Sequence, residues 1–333
     1  EVVAEGWHER CGGPHAEVAA LATAGERARG GTLVVTLEPC CHHGKTPPCT
    51  EAIVAAGIAR VVVATGDPFP AVAGGGIAAL QTAGIAVELG LLEAEARRLT
   101  AAFRKLVTTG TPWVIAKWAA TRDGRVTRPG GDRWISSPES RAVVHALRSR
   151  VDAIAVGSGT ALADDPLLTA RPEHGPAAGA AARILVRIVL DGRGRLPPDG
   201  RLARTARESP VLVAVGPAAP TERIAALRAA GCEVWRSPQA EPAGRFRGLL
   251  AELGRRRLTN LLVEGGPTVF RTLFAADLVD ETWQFTAPAV AGGPDDATMP
   301  PPPPVDVEDV CHPGGDTLVR GIVRRVTSSA GRG

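Results

Sequence analysis

The chain has 333 residues, a length that ordinarily corresponds to two domains. Hydrophobic residues make up 44% of it and charged residues 22%, so we expect a hydrophobic core large enough to stabilise the fold without disulfide bonds. The net charge of +3 comes mainly from scattered Arg, and there is no Tyr, which argues against a nucleic-acid-binding protein. No apolar run approaches the roughly 18 to 20 residues of a membrane helix, and no segment resembles a secretory leader. We therefore expect a cytoplasmic protein that engages neither membranes nor nucleic acid.

The first part of the chain alternates strand and helix patterns. Strands are predicted at 2–7, 32–37, 60–65 and 86–89, and helices at 15–29, 48–56, 75–83 and 91–107. This alternation favours an α/β sheet with mainly parallel strands. Gly110 and Pro112 are helix stop signals, which predicts one domain at 1–109 and a second at 110–329.

The second part repeats the α/β pattern over a longer stretch. Strands are predicted at 112–120, 153–157, 184–191, 211–216, 233–237, 260–264, 282–288 and 317–325. Helices are predicted at 137–149, 221–230, 243–256 and 268–276. The sequence therefore predicts a second α/β domain with its own sheet.

One histidine, two cysteines and a glutamate have the pattern of a catalytic zinc site. Four of the six cysteines lie in the first 49 residues, which favours metal binding over disulfides. His15, Cys40 and Cys49 would leave the fourth zinc position open for water, whose pKa zinc lowers to about 7. Glu17 would then move protons. A break before His15 places it and Glu17 in the first turn of a helix, and Pro39 predicts a second helix that begins at Cys40.

The stretch 39–49, Pro-Cys-Cys-His-His-Gly-Lys-Thr-Pro-Pro-Cys, is similar to the zinc loop of the bifunctional riboflavin biosynthesis deaminase/reductase family. The resemblance implies a cytidine-deaminase-like α/β/α domain, with His42, Lys45 and Asp67 in contact with a phosphoribosylaminopyrimidine substrate. Phe69 stands where the family commonly has Asn, so one polar substrate contact is lost. The family's first helix and strand would lie upstream of residue 1, so we expect an N-terminally incomplete deaminase domain.

A strand, a glycine pair and a helix start follow one another at 263–268, Val-Glu-Gly-Gly-Pro-Thr. Two glycines let a phosphate approach the backbone, and the free amides of a helix N-terminus bind it. Asp164-Asp165-Pro166 is expected to end a strand with carboxylates that bond hydroxyl groups.

Four stretches, 117–125, 134–137, 156–171 and 263–268, resemble the reductase half of the same family. The resemblance implies a dihydrofolate-reductase-like α/β domain that reduces a ribosyl group to ribityl with NADPH. The implied NADPH contacts are Ala119, Trp134, Thr160, Asp164, Gly266, Pro267, Thr268, Val269, Phe270, Arg271 and Thr272. The implied substrate contacts are Asp132, Arg148, Leu168, Arg171 and Glu264, of which the arginines would bind phosphate. Asp132 and Gly192 each stand where the family commonly has Ser.

Three hypotheses follow. The first is a bifunctional enzyme that carries out two steps on one small phosphorylated pyrimidine and, by its resemblance, forms a homo-oligomer, either a dimer or a tetramer. The second is a functional reductase with an impaired deaminase. It is motivated by Phe69 and by the expectation that the family's first strand is missing from the deaminase domain. The third, a zinc-binding nucleic-acid module, requires a basic face with aromatic rings that the composition does not provide.

Overall fold

The computed structural model describes residues 1–10, 12–44, 46–70, 72–126, 134–170, 184–290 and 297–325. The chain forms two compact units, Glu1–Thr109 and Gly110–Gly333. Each unit has its own β-sheet with helices around it. Within the described residues, no helix has both the length and the apolar character needed to cross a membrane.

The first unit contains a three-stranded sheet of order β1-β2-β3, in which both strand pairs are parallel. Its elements are α1 (Ala16–Ala24), β1 (Thr32–Leu37), α2 (Cys49–Ala55), β2 (Arg60–Thr65), α3 (Gly75–Thr82), β3 (Ala86–Leu89), α4 (Glu93–Leu99) and α5 (Ala101–Thr109). The core contains Val61 and Val63 of β2 and side chains from the surrounding helices and loops, namely Ala24, Ala28, Ile53, Ile58, Leu80 and Ile85. Because parallel strands end at the same edge of a sheet, the segments after β1 and β2 lie close together.

The three predicted strands at 32–37, 60–65 and 86–89 are confirmed, but the one at 2–7 is wrong. That segment has no strand beside it in the described chain and lies against α1. A Cβ atom at Gly6 would be 2.5 Å from the backbone oxygen of Ala16 and 2.5 Å from the backbone nitrogen of Ala20. The predicted helix at 91–107 is two helices, because the first ends at Leu99 and the second begins at Ala101.

The second unit contains a nine-stranded sheet of order β11-β12-β10-β4-β9-β5-β6-β7-β8. Neighbouring strands from β10 to β8 are parallel, and β12 and β11 add antiparallel strands at one edge. Its strands are β4 (Trp113–Thr121), β5 (Ala153–Gly157), β6 (Val186–Leu190), β7 (Val211–Val215), β8 (Glu233–Arg236), β9 (Asn260–Val263), β10 (Glu281–Ala287), β11 (Val305–Cys311) and β12 (Thr317–Val323). Its helices are α6 (Pro138–Arg148), α7 (Ser158–Asp164), α8 (Arg201–Arg204), α9 (Thr221–Ala229), α10 (Pro242–Arg255) and α11 (Pro267–Ala275).

Hydrophobic cores cover both faces of this sheet. Alternate residues of the central strands belong to two separate buried clusters, as with Ile154 in one and Ala155 in the other. β5 and β7 are buried at every position, which explains why their sequences are continuous apolar runs. The sequence missed β11 because this edge strand pairs only with β12 and is mostly exposed, so its pattern has no buried face.

Candidate active sites

The first candidate site is a cluster of one imidazole and two sulfur atoms. His15 is the N-cap residue of α1, Cys40 follows β1, and Cys49 is the first residue of α2. Nδ1 of His15 lies 3.2 Å from Sγ of Cys49 and 3.5 Å from Sγ of Cys40, and the three ligand atoms lie within 4.8 Å of one another. Nitrogen and sulfur ligands of a tetrahedral zinc are about 3.5 Å apart. The three side chains therefore fit one zinc ion.

The prediction that a helix begins at Cys40 is wrong, because the helix begins at Cys49. Cys40 lies in the loop before it, and the backbone amide of Cys49 donates a hydrogen bond to Sγ of Cys40 over 3.3 Å. The hydrogen bond from the Cys49 thiol, followed by that from the amide, lowers the pKa of Cys40. The first amide of α2 thus favours the thiolate that a metal ion requires.

Glu17 lies in the first turn of α1, two residues after the N-cap histidine. Burial raises the pKa of its carboxyl group, and a backbone hydrogen bond and the charge of His15 oppose the shift only partly. Glu17 does not belong to the cluster of three ligand atoms. A carboxyl group whose pKa is raised, beside a metal site, is suited to accept and return a proton.

A buried carboxylate that the sequence analysis did not select connects the two loops of this site. Glu38 is 3% exposed and precedes Cys40 by two residues. Its Oε2 accepts the backbone amides of Asp67 (3.2 Å) and Gly74 (3.0 Å), and its Oε1 accepts the amide of Ile77 (3.1 Å). Glu38 therefore fixes the loop after β2, which carries Asp67, to the end of β1.

The predicted substrate contacts lie on these two loops. The rings of His42 and Phe69 have centroids 6.0 Å apart. Oδ1 of Asp67 accepts the amide of Phe69 over 2.8 Å, and burial raises the pKa of that carboxyl group. Lys45 lies outside the described residues. The structure thus brings His42 close to the loop that carries Asp67 and Phe69, and the apolar ring of Phe69 contacts His42.

The second candidate site is a cavity of about 1090 Å³ near the carboxyl ends of the parallel strands of the second unit. Eight of the predicted NADPH contacts line it: Ala119, Thr160, Asp164, Gly266, Pro267, Thr268, Val269 and Thr272. Glu264, a predicted substrate contact, lines it as well. The cavity passes from β4 and β9 across β5 to the ends of β6 and β7.

Two glycines allow α11 to begin close to the sheet at this cavity. A Cβ atom at Gly265 would be 2.8 Å from Cβ of Val269, and one at Gly157 would be 2.9 Å from Cγ2 of the same residue. Gly266, the N-cap residue of α11, faces more open space. A Cβ atom added at Gly266 would be 3.9 Å from Oγ1 of Thr160. A phosphate group can therefore approach the amides at the start of α11, as the strand–glycine–helix pattern predicts.

The other predicted residues lie elsewhere in the second unit. Trp134 is exposed, with the guanidinium of Arg141 4.8 Å from its ring centroid. Leu168 and Phe270 are buried in the two hydrophobic cores, and Arg271 lies in a groove beside the prolines at 300–304. Asp132 and Arg171 lie outside the described residues. Asp164 ends helix α7 and not a strand, because β5 turns directly into that helix at Ser158.

A largely buried ion pair joins two of the predicted substrate contacts. Nε and Nη2 of Arg148 donate to the two carboxylate oxygens of Glu264 over 2.7 and 2.8 Å, and Nη1 donates to the carbonyl of Thr169 over 3.3 Å. Lys117 also lines the cavity, with Nζ 5.4 Å from the ring centroid of Phe285. Burial lowers the pKa of the Lys117 ammonium, and Glu264 opposes the shift.

Acid is expected to weaken the second unit by breaking this ion pair. Burial alone would raise the pKa of Glu264, but Arg148 outweighs it and holds the pKa at about 2. The ion pair therefore contributes its full stabilisation of the folded state above about pH 4.3, the pKa of Glu264 in the unfolded chain. This contribution, on the order of 3 kcal/mol, is lost as the pH falls toward 2. We expect the urea concentration at the unfolding midpoint, measured by Trp fluorescence, to decrease when the pH is lowered from about 5 to 3. The decrease should be smaller in Glu264→Gln. Equal losses in both proteins would contradict the assignment.

The cavity lining carries more positive than negative charge. The described lining residues include four cationic side chains and two carboxylates. The cations are Lys117, Arg193, Arg195 and Arg245, and the carboxylates are those of Asp164 and Glu264. None of the four cations was selected as a site residue from the sequence, because scattered Arg and Lys carry no local signal. A large cavity with this excess charge and an open helix N-terminus fits an anionic dinucleotide such as NADPH.

Comparisons with known proteins identify both units. Residues 112–313 match the family model "RibD C-terminal domain", and residues 1–65 match "Cytidine and deoxycytidylate deaminase zinc-binding region". The riboflavin biosynthesis proteins RibD of Aquifex aeolicus and Escherichia coli are each 40% identical to the chain, over 88% of its length and 79% and 80% of theirs.

Solved structures agree. RibD of Acinetobacter baumannii (form 2) has a TM-score of 0.82 at 34% identity and covers 96% of this chain and 88% of its own. The diaminohydroxyphosphoribosylaminopyrimidine deaminase/5-amino-6-(5-phosphoribosylamino)uracil reductase of Thermotoga maritima has a TM-score of 0.80 at 34% identity and covers 97% and 88%. The predicted fold class and the predicted resemblance are confirmed. The chain belongs to the RibD family of riboflavin biosynthesis proteins, which joins a zinc-binding deaminase domain to a reductase domain.

Proposed function

We propose that the chain catalyses two consecutive steps of riboflavin biosynthesis. Residues 1–109 deaminate 2,5-diamino-6-(5-phosphoribosylamino)pyrimidin-4-one to the uracil, and residues 110–329 reduce its ribosyl group to ribityl with NADPH. The observation that carries the first activity is the cluster of His15, Cys40 and Cys49 beside the raised-pKa carboxyl group of Glu17. The second activity is supported by the cation-lined cavity at the start of α11.

In the deaminase unit, the protein residues hold the metal and move protons. A zinc ion bound there would lower the pKa of water enough for attack on the pyrimidine at neutral pH. Glu17 accepts one proton from the attacking water and passes it to the ring nitrogen. It then takes the second proton from the hydroxyl group now attached to the ring carbon and gives it to the amino group, so that ammonia leaves and the carbonyl forms. His42 and Asp67 contact the phosphoribosyl part, on loops that Glu38 holds together.

In the reductase unit, the residues around Glu264 orient the substrate and supply a proton. NADPH would supply the hydride for C1 of the ribosyl group. When the bond from C1 to the ring oxygen opens, that oxygen needs a proton, and Lys117 is the cationic donor that lines the cavity beside Glu264. Arg148 orients Glu264 through two hydrogen bonds. A contact of Arg148 with the substrate phosphate stays a prediction.

Removal of one zinc ligand should separate the two activities. In Cys49→Ser the chain loses a thiolate, so we expect bound zinc to fall well below one ion per chain and ammonia release to fall below detection. Reduction of the deaminated substrate should persist, because the reductase cavity lies in the other unit. Cys41→Ser is the matched control, since Cys41 is next to Cys40 but is not part of the ligand cluster.

The outcomes decide between the hypotheses. Zinc-dependent ammonia release by the unaltered chain supports the bifunctional enzyme, whereas zinc binding with no deamination supports a reductase with an impaired deaminase. The second result would direct attention to Phe69, whose ring lies against His42. Full deamination by Cys49→Ser without zinc would contradict the proposed metal site.

The compartment and the assembly are further parts of the proposal. We infer a cytoplasmic protein, which agrees with the free thiols of the five cysteines in the described residues. We also infer a homo-oligomer, a dimer or a tetramer, which agrees with the exposed side chains of Leu89, Leu92 and Leu99 in the first unit. A solution mass equal to one chain, measured by light scattering, would contradict the second inference.

A further inference from the structure

One end of the reductase cavity is built from glycine backbone and an arginine side chain. β6 and β7 end side by side; Gly192 lies two residues after the end of β6, and Gly216 lies directly after the end of β7. Arg245 of α10 lies across both glycines. A Cβ atom at Gly192 would be 3.1 Å from Nη2 and 3.3 Å from Cζ of Arg245, and one at Gly216 would be 3.5 Å from its Cδ. The two glycines therefore leave the space in which the guanidinium lies.

Arg195 at this end forms an ion pair with Asp191, but Arg193 and Arg245 have no ion-pair partner among the described residues. Arg245 donates to the carbonyl of Ala240, and no carboxylate among the described residues forms an ion pair with it or with Arg193. Glu241, whose charge acts on Arg245, already accepts the amides of Ala243 and Gly244 at the start of α10. Two guanidinium groups of the cavity lining are thus available to an anion.

The position of these arginines matches one part of the dinucleotide. The strand order β4-β9-β5-β6-β7 separates β9, which leads to Glu264 and α11, from β7 by three strand spacings, about 14 Å. A pyrophosphate at the start of α11 would place the nicotinamide toward Lys117 and the adenosine toward Arg245. Trp235 and Leu249 line the same end and provide apolar surface for a base.

We infer that Arg245, together with Arg193, binds the 2′-phosphate of NADPH and so sets the preference of this chain for NADPH over NADH. The two coenzymes differ only in that phosphate, which is attached to the adenosine ribose. A planar guanidinium donates two parallel hydrogen bonds to a phosphate, and Gly192 provides the space for it. The inference rests on the proposed reductase function and names the residues that select its coenzyme.

Equilibrium binding to the full-length chain tests the inference without turnover. We would measure dissociation constants of NADP⁺ and NAD⁺, and of 2′,5′-ADP and 5′-AMP, by titration calorimetry. In Arg245→Gln we expect the preference for NADP⁺ over NAD⁺ to fall about ten- to hundredfold, and the preference for 2′,5′-ADP over 5′-AMP to fall equally. Arg245→Lys, which keeps the charge but not the planar fork, should show a smaller loss.

Arg247→Gln is the matched control. Arg247 lies on the same helix, donates to the carbonyl of Ala276 over 3.3 Å and does not line the cavity, so its replacement should leave the preference unchanged. An unchanged preference in Arg245→Gln, or an equal loss in Arg247→Gln, would overturn the inference. Substrate reduction that is equally fast with NADH and NADPH in the unaltered chain would overturn it too but leave the reductase function intact. Absence of reduction with both coenzymes would instead contradict the proposed function.

Discussion

Replacing Glu17 with Gln should reduce the kcat of deamination by about 10²- to 10⁴-fold, the usual contribution of a general acid–base group. The amide has the same shape as the carboxyl group but cannot take a proton from water or return it to the leaving amino group. Zinc should stay at one ion per chain, because Glu17 is not one of the three ligand side chains. The measurements are the rate of ammonia release and the zinc content of the purified protein.

Glu26→Gln provides the control for this substitution. Glu26 lies in the same unit, and its side chain is 93% exposed in an ion pair with Arg29, so both activities should be unaffected. A loss of zinc in Glu17→Gln would show that Glu17 is a ligand and that the roles are wrongly assigned. An unchanged kcat would show that another group moves the protons.

Replacing Lys117 with Met should lower the kcat of reduction by about 10²-fold or more, because the ring oxygen then loses its proton donor. The ammonium must be protonated to act, and burial lowers its pKa. In the unaltered chain, kcat should therefore fall as the pH rises through the pKa of Lys117, and this alkaline fall should be absent in Lys117→Met. The measurement is the rate of NADPH oxidation across pH with the deaminated substrate.

Two comparisons make the Lys117 result specific. Lys117→Arg keeps a cation beside Glu264, but its guanidinium holds its proton far more tightly, so kcat should also fall while the fold is preserved. Ammonia release by the same proteins reports whether the other unit is intact. An identical kcat and pH profile in Lys117→Met would remove Lys117 from the mechanism.

The sequence predicted the parts of the sites that depend on neighbouring residues. The zinc loop at 39–49 and the His15–Glu17 pair are short motifs with fixed spacing, and the structure brings His15, Cys40 and Cys49 together. The helix predicted at 48–56 is confirmed as Cys49–Ala55, but the additional helix predicted at Cys40 is wrong, because Pro39 and Pro48 both suit the first turn of a helix and local preference does not distinguish them. The strand predicted at 2–7 failed since an apolar pattern forms a strand only beside a partner.

The remaining site residues could not be found from the sequence because they come together only in the folded chain. Lys117 and Glu264 are far apart in the chain and meet because β4 and β9 pair. Arg245 reaches Gly192 from α10, a helix that comes much later in the chain. Phe270 lies within the predicted run of NADPH contacts, but its side chain is buried, because every third or fourth residue of α11 faces the core.

The carboxylate of Glu38 has a consequence for how the deaminase domain tolerates change. The amides of Asp67 and Gly74 in the segment after β2, and that of Ile77 in the first turn of α3, are attached to a side chain that precedes Cys40 by two residues. If Asp67 binds substrate as proposed, we expect a displacement of the metal loop to shift the substrate loop as well, because both are attached to Glu38. We therefore expect substitutions on the β2 side of this site to be tolerated only where they keep these three hydrogen bonds, so that specificity in this domain diverges first at residues that Glu38 does not hold.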